Sequence, residues 1–205
     1  MPDYTLILKL TPQQLKTFDA KTNIIIAKPT KGEAPTVAWQ SFQPFEENTV
    51  TWEEQYGIYV SSTGITHGAH LTRMSSTAVP AMEQKLYTLE GDAVFSDPPE
   101  GTTGSPGAFC AENKFGEPQA LTFGLFQDAM VNGKPVHGNA LSATSVPHAN
   151  IIQMTPHTTL YIWMESDVSS NTVVTEVDSH QTEATFGGET TEISLAYDDG
   201  SGMFI

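Results

Sequence analysis

Apolar residues in this chain recur at every second position in short runs, and glycine, proline or clustered polar residues interrupt each run. Tyr4, Leu6, Leu8 and Leu10 set the pattern, and Leu121, Phe123 and Leu125, then Ile193, Leu195 and Tyr197, repeat it. A period of two puts successive side chains on opposite faces of a strand, so the chain is patterned for sheets with one face buried. Further strands are expected at 24–27, 37–39, 50–52, 58–60, 86–89, 93–95, 173–177 and 184–186, with short ones around Leu71 and Val79. Residues 159–164 are apolar on both faces, as in a central strand covered on two sides. Gly57 marks a bulge, Glu90-Gly91-Asp92 a hairpin and Asn132-Gly133 a tight turn.

One segment signals a helix. Thr11 stands at the N-cap, Pro12 at the first helical position, and Gln14 completes a capping box. Leu15 and Phe18 follow at i, i+3, and Asn23 ends the run. Many strands, frequent turns and one short N-terminal helix predict an all-β fold. The expected form is an antiparallel β-sandwich, jelly-roll-like in its connections.

At 205 residues the chain fits one β-sandwich domain. Its clearest break is 96–107, where prolines and glycines crowd together. That stretch is either a surface loop or a linker dividing 1–95 from 108–205.

The formal charge is −15, and it is uneven: residues 135–205 hold nine carboxylates and no lysine or arginine. Such a segment repels phosphate and anionic lipid, so nucleic acid and anionic membranes are not expected as partners. Cys110 is the single cysteine, which rules out an intrachain disulfide and reads best as a small buried thiol. No basic-then-apolar leader is visible, and no apolar run approaches the roughly 18 residues of a membrane span. The expected location is cytoplasmic, or secreted without a recognisable signal peptide.

Several blocks resemble a family of small fungal and bacterial β-rich proteins, most of them uncharacterised. They are Leu8-Lys9-Leu10-Thr11-Pro12-Gln13-Gln14-Leu15, Ile25-Ile26-Ala27-Lys28, Val37-Ala38-Trp39, Asn48-Thr49-Val50-Thr51-Trp52, Gly124-Leu125-Phe126-Gln127, Asn132-Gly133 and Thr155-Pro156. The resemblance implies a shared fold and brings no established activity or catalytic residues.

Candidate chemistry is sparse. His67 and His70 are spaced i, i+3, but Gly64 and Gly68 oppose the helix that would align them for zinc. His137, His148 and His157 recur at near-ten-residue intervals and would need neighbouring strands to converge. Paired carboxylates for hydrolysis require two acids on one cleft, for which Glu53 with Asp128, or Glu165 with Glu176, are cross-strand candidates. Asp198 and Asp199, with Glu165 and Asp167, offer hard oxygens on turns, the donor type that Ca²⁺ takes. No nucleophile elbow, Walker loop or dinucleotide fingerprint occurs, which points away from an enzyme. Trp39, Trp52 and Trp163 alternate in phase with aliphatic neighbours and belong to the core. Polar residues near turns are the better ligand contacts: Tyr56, Tyr59, Asn113, Asn132, Asn139 and Asn150.

The expectation is therefore a non-enzymatic sandwich that binds a neutral glycan or other small uncharged ligand, as a lectin-like or defence protein would. A self-assembling or structural subunit, including an oligomerising toxin component, is the alternative. The apolar end at 202–205 is then either the last core strand or a docking strand. A hydrolase with a cross-strand carboxylate or histidine site is the third.

Overall fold

A computed structural model of the protein describes residues 3–30, 34–116, 120–177 and 180–205. The alternation in the sequence becomes alternation in burial. In β1 (Asp3–Lys9), Tyr4, Leu6 and Leu8 are buried while Asp3 and Lys9 are exposed. β4 (Glu47–Glu53) repeats this with Asn48, Val50 and Trp52 inward, and it pairs antiparallel with β1 so that Leu6 lies opposite Val50.

Three sheets form among the described residues. The largest runs β16 (Met203–Phe204), β15 (Glu192–Asp198), β1, β4, β9 (Leu121–Val131), β5 (Gly57–Ser61) and β6 (Arg73–Ser76). β10 (Lys134–Ala140) and β11 (Thr144–Val146) pair with the opposite edge of β9, because Phe126 meets both Gly57 and Ala140. The second sheet runs β14 (Thr182–Thr185), β13 (Thr159–Ser166), β2 (Thr22–Ala27) and β3 (Gln40–Phe42). The third runs β12 (Ile151–Met154), β8 (Phe109–Asn113) and β7 (Leu86–Leu89). The molecule is an all-β sandwich, mostly antiparallel, although β1 pairs parallel with β15 and β7 with β8.

Its core is a continuous cluster in which Ile24, Ile26, Leu160 and Ile162 of the second sheet pack with Leu6, Leu8, Val50 and Leu125 of the first. Ile25 and Trp163, on the outer face of the second sheet, are buried too, because Val168, Val174 and Val177 pack over them. That covering explains why 159–164 is apolar on both faces.

The expected strand at 173–177 is instead this covering segment. It makes isolated bridges, Val37 with Val173 and His70 with Thr172. Residues 171–174 bond to 36–38 on one side and to 68–71 on the other, and none of these pairings extends into a strand. Residues 37–39 likewise precede β3, and in place of the short strands expected around Leu71 and Val79 there is one, β6, which includes neither residue. The bulge expected at Gly57 lies later in β5, between Val60 and Ser61.

The helix α1 (Pro12–Leu15) follows its capping box closely. Gln14 N–H donates to Thr11 Oγ1 at 3.2 Å, and Thr11 N–H to Gln14 Oε1 at 2.8 Å. Segment 96–107 is a loop joining β7 to β8, two strands that pair with each other, and the core contains residues from both sides of it. At the far end of the chain, Phe204 is a core residue whose backbone N–H and carbonyl both bond Thr182 Oγ1 on β14. No helix among the described residues is long and apolar enough to cross a membrane.

Candidate functional site

β3 is an edge of the second sheet, and the β9–β10 hairpin stands across from it. The hairpin turns at Asn132-Gly133 with φ of 49° and 74°, both left-handed, as a two-residue type I′ turn requires. Between β3 and the hairpin opens a groove of about 540 Å³. Phe42, Val131 and Val136 give it apolar walls, and Phe45 adds an aromatic ring that is 58% exposed. Gln43, Asn132, Lys134 and Ser170 supply polar groups, and among the described residues no carboxylate lines the groove.

These polar groups are partly committed and so partly oriented. Asn132 Oδ1 accepts the Thr49 N–H at 2.8 Å, leaving its amide hydrogens for a ligand. Gln43 Nε2 donates to the Ala20 carbonyl at 2.9 Å, leaving its oxygen as an acceptor. Ser170 Oγ accepts the Ser41 N–H at 2.9 Å and keeps its own proton to give. A large exposed aromatic beside apolar walls, with amides and a hydroxyl around it, is a surface on which a sugar ring can stack and hydrogen-bond.

A second polar region surrounds a bulge in β10. The register slips between Val136 and Asn139, and Asp128 on β9 holds the slipped residues. Its Oδ1 accepts the Gly138 N–H at 2.6 Å, and Oδ2 lies 3.0 Å from His137 Nδ1. The bulge lifts His137 into a ridge between two shallow grooves. One, about 560 Å³, contains both Glu53 and Asp128, so this expected carboxylate pair does come to one surface. The other, about 410 Å³, contains His70, Arg73 and His137.

Deeper in the protein, Lys28 is buried against Trp52 and Tyr56. Its Nζ donates to Glu54 Oε1 and to Tyr56 Oη, both at 2.7 Å. Trp52 Nε1 donates to the same Glu54 oxygen, and the Tyr56 hydroxyl donates to the other. Burial pulls the Lys28 ammonium below its usual value, against the attraction of Glu54. Burial first, and then the Glu54 charge, drives the Tyr56 phenol well above the ordinary tyrosine range.

Of the six expected ligand contacts, Asn132 lines the sandwich-edge groove, and Tyr59 and Asn139 line the groove beside Arg73. Tyr59 is buried, with its hydroxyl donating to the Ser142 carbonyl at 2.7 Å. Asn139 gives its amide to the Trp39 carbonyl at 2.9 Å. Asn113 is wholly buried and bonds the Val146 carbonyl, while Tyr56 belongs to the Lys28 cluster. Asn150 is exposed beside a separate shallow hollow.

The four candidate calcium ligands have partners within the protein. Glu165 accepts from Trp163 Nε1, Asp167 pairs with Lys21, Asp198 caps the Ser201 N–H, and Asp199 accepts from Gln14. The hydrogen bonds from Ser201 hold Asp198 below the usual carboxylate range. No three His, Cys, Asp or Glu residues converge on a metal-sized site among the described residues, so neither this set nor His137, His148 and His157 forms one.

Three features escape sequence reading. Phe45, Arg73 and Lys28 carry no motif; exposure, stacking and ion pairing give them their roles, and all three depend on tertiary neighbours. No family model, curated protein or solved structure matches the chain.

Proposed function

We propose that the protein is a non-enzymatic binding module for an uncharged glycan, held in the groove between β3 and the β9–β10 hairpin. The observation that carries this reading is Phe45, a phenyl ring 58% exposed above apolar walls in a groove that no carboxylate of the described residues lines. A pyranose presents an apolar C–H face that stacks on such a ring, while its hydroxyls bridge the Asn132 donors and the Gln43 acceptor. A groove this open excludes little water, so one sugar ring binds weakly, with a dissociation constant on the order of 1 mM. Useful affinity then comes from repeated sugars on a surface or polymer.

A glycan array on the purified protein tests the reading, run with and without EDTA and repeated with Phe45→Ala. Retention of a neutral glycan that Phe45→Ala abolishes supports it, and EDTA is expected to leave that signal unchanged. A blank array, or one indifferent to Phe45→Ala, removes the reading. Turnover of the retained sugar would move the assignment to the hydrolase class, with Glu53 and Asp128 as the residues to substitute next.

A further inference from the structure

Arg73 is the only arginine in a chain of net charge −15, and its guanidinium is held in place. It lies 3.9 Å from the centroid of the Phe126 ring, and Nη2 donates to the Gly138 carbonyl. Gly138 has a left-handed φ of 69°, and a Cβ there would stand 2.7 Å from that nitrogen. The glycine therefore shapes the bulge and also makes room for the guanidinium. Ordering so long a side chain costs conformational entropy, a cost that a merely solvated surface charge avoids.

The groove beside it is rich in donors. Tyr59, Asn139 and Asn171 form wall, and their polar groups bond to other protein groups: Tyr59 to Ser142, and Asn171 to Asn139 and Ala140. What remains for a ligand is the rest of the Arg73 fork, the His70 imidazole, His137 Nε2 and the Thr72 hydroxyl. Among the described residues no carboxylate lines this groove; Asp128 lines the neighbouring one, with both oxygens engaged by Gly138 and His137. A stacked, pre-positioned guanidinium presents paired N–H donors to two oxygens of an oxyanion, as a mobile lysine does not.

We propose that this groove binds an oxyanion, a carboxylate or sulfate group, with Arg73 as its anchor and Gly138 as the residue that positions it. The site is separate from the sandwich-edge groove and does not depend on the glycan reading. Its ligand is either the acidic substituent of a sugar or a free small anion.

The test is an NMR titration of isotope-labelled protein with sodium glucuronate, sodium sulfate and glucose, following Arg73 Nε–H and the His70 and His137 rings. Both anions are expected to shift these signals, and glucose is expected to leave them in place. Arg73→Gln should weaken anion binding at least about tenfold, the loss of one charge-assisted contact. Gly138→Ala, which displaces the guanidinium without removing its charge, should act in the same direction. Tighter binding of glucuronate than of sulfate identifies an acidic sugar; equal or weaker binding identifies a free anion, and either supports the site. Unmoved Arg73 and histidine signals with every anion would overturn it. So would an Arg73→Gln protein with an unchanged circular dichroism spectrum and full anion affinity.

Discussion

Lys28 keeps an ammonium group 1% exposed because three partners surround it: the Glu54 carboxylate, the Tyr56 hydroxyl and the faces of two aromatic rings. A buried charge of this kind is tolerated when paired and costly when left alone. Lys28→Met is therefore expected to destabilise the fold by about 3 kcal/mol, since it leaves Glu54 without its counter-charge and with the Trp52 and Tyr56 donors alone. The double variant Lys28→Met, Glu54→Gln should recover part of that loss, and urea denaturation measures both. Equal stability of Lys28→Met and the native chain would mean the pair does no better than an apolar side chain.

The tyrosines predict a pH response. Tyr56 and Tyr59 have folded-state values above the ordinary 10.0, chiefly through burial. Their contribution is thus fully present below pH 10 and lost as the pH rises beyond it, where the unfolded chain releases protons that the folded one retains. Lys28, lowered from 10.5, acts oppositely, gaining stability as the pH climbs toward that value. The Tyr197 phenol is raised as well, chiefly by burial, so the phenols outweigh the one amine and net stability is expected to fall above about pH 10. Tyr59→Phe should make the fall shallower while costing about 1 kcal/mol at neutrality for the lost bond to Ser142. A denaturation series from neutral to alkaline pH on both proteins reads the difference.

At the scale of elements, what could be read from the sequence is what is local. The Thr11-Pro12-Gln14 box, the Asn132-Gly133 turn and the alternation of β1 and β9 each follow from a few adjacent residues. The parallel pairing of β1 with β15 and of β7 with β8 joins distant segments and leaves no local mark. Segment 173–177 misled for the same reason: Val173, Thr175 and Val177 alternate as a strand would, yet Val173 makes an isolated bridge to Val37 and packs with Tyr59 and Leu71, while Val177 packs over the outer face of the second sheet. The site residues fared unevenly because Asn is as useful for closing turns and bonding buried carbonyls as for holding ligands. Asn113 and Asn139 do the former.

Thr182 on β14 is a second case of long-range control, since its hydroxyl satisfies both backbone groups of Phe204 and ties the second sheet to the edge of the first. Thr182→Val keeps the shape and orphans a buried N–H and C=O, at an expected cost of about 2 kcal/mol. Hydrogen exchange locates the effect: protection at Ala196 and Ile205, which bond each other across β15 and the chain end, should drop more than protection in β2 or β13. A uniform drop would mean that β16 unfolds only with the whole protein.

Across the whole molecule, charge works against compaction. Nine basic residues face 24 acidic ones, and the second part of the chain carries the larger surplus. The attractive pairs do little to offset this repulsion: Lys21–Asp167 is exposed on both sides and contributes about 0–1 kcal/mol, whereas Lys28–Glu54 is largely shielded from added salt. Repulsion among the exposed carboxylates acts through solvent over a Debye length, which contracts from about 30 Å at 0.01 M salt to about 8 Å at 0.15 M. Raising sodium chloride across that range should therefore increase the melting temperature, because it screens the dispersed repulsion and leaves the buried pair intact. The screening acts on the dispersed surface charge and not through one groove, so the shift should persist in Arg73→Gln. A melting temperature that falls with salt would show that exposed ion pairs outweigh the net charge, and would make Lys21–Asp167 and the pair of Lys114 with Glu112, 3.0 Å apart, the residues to test.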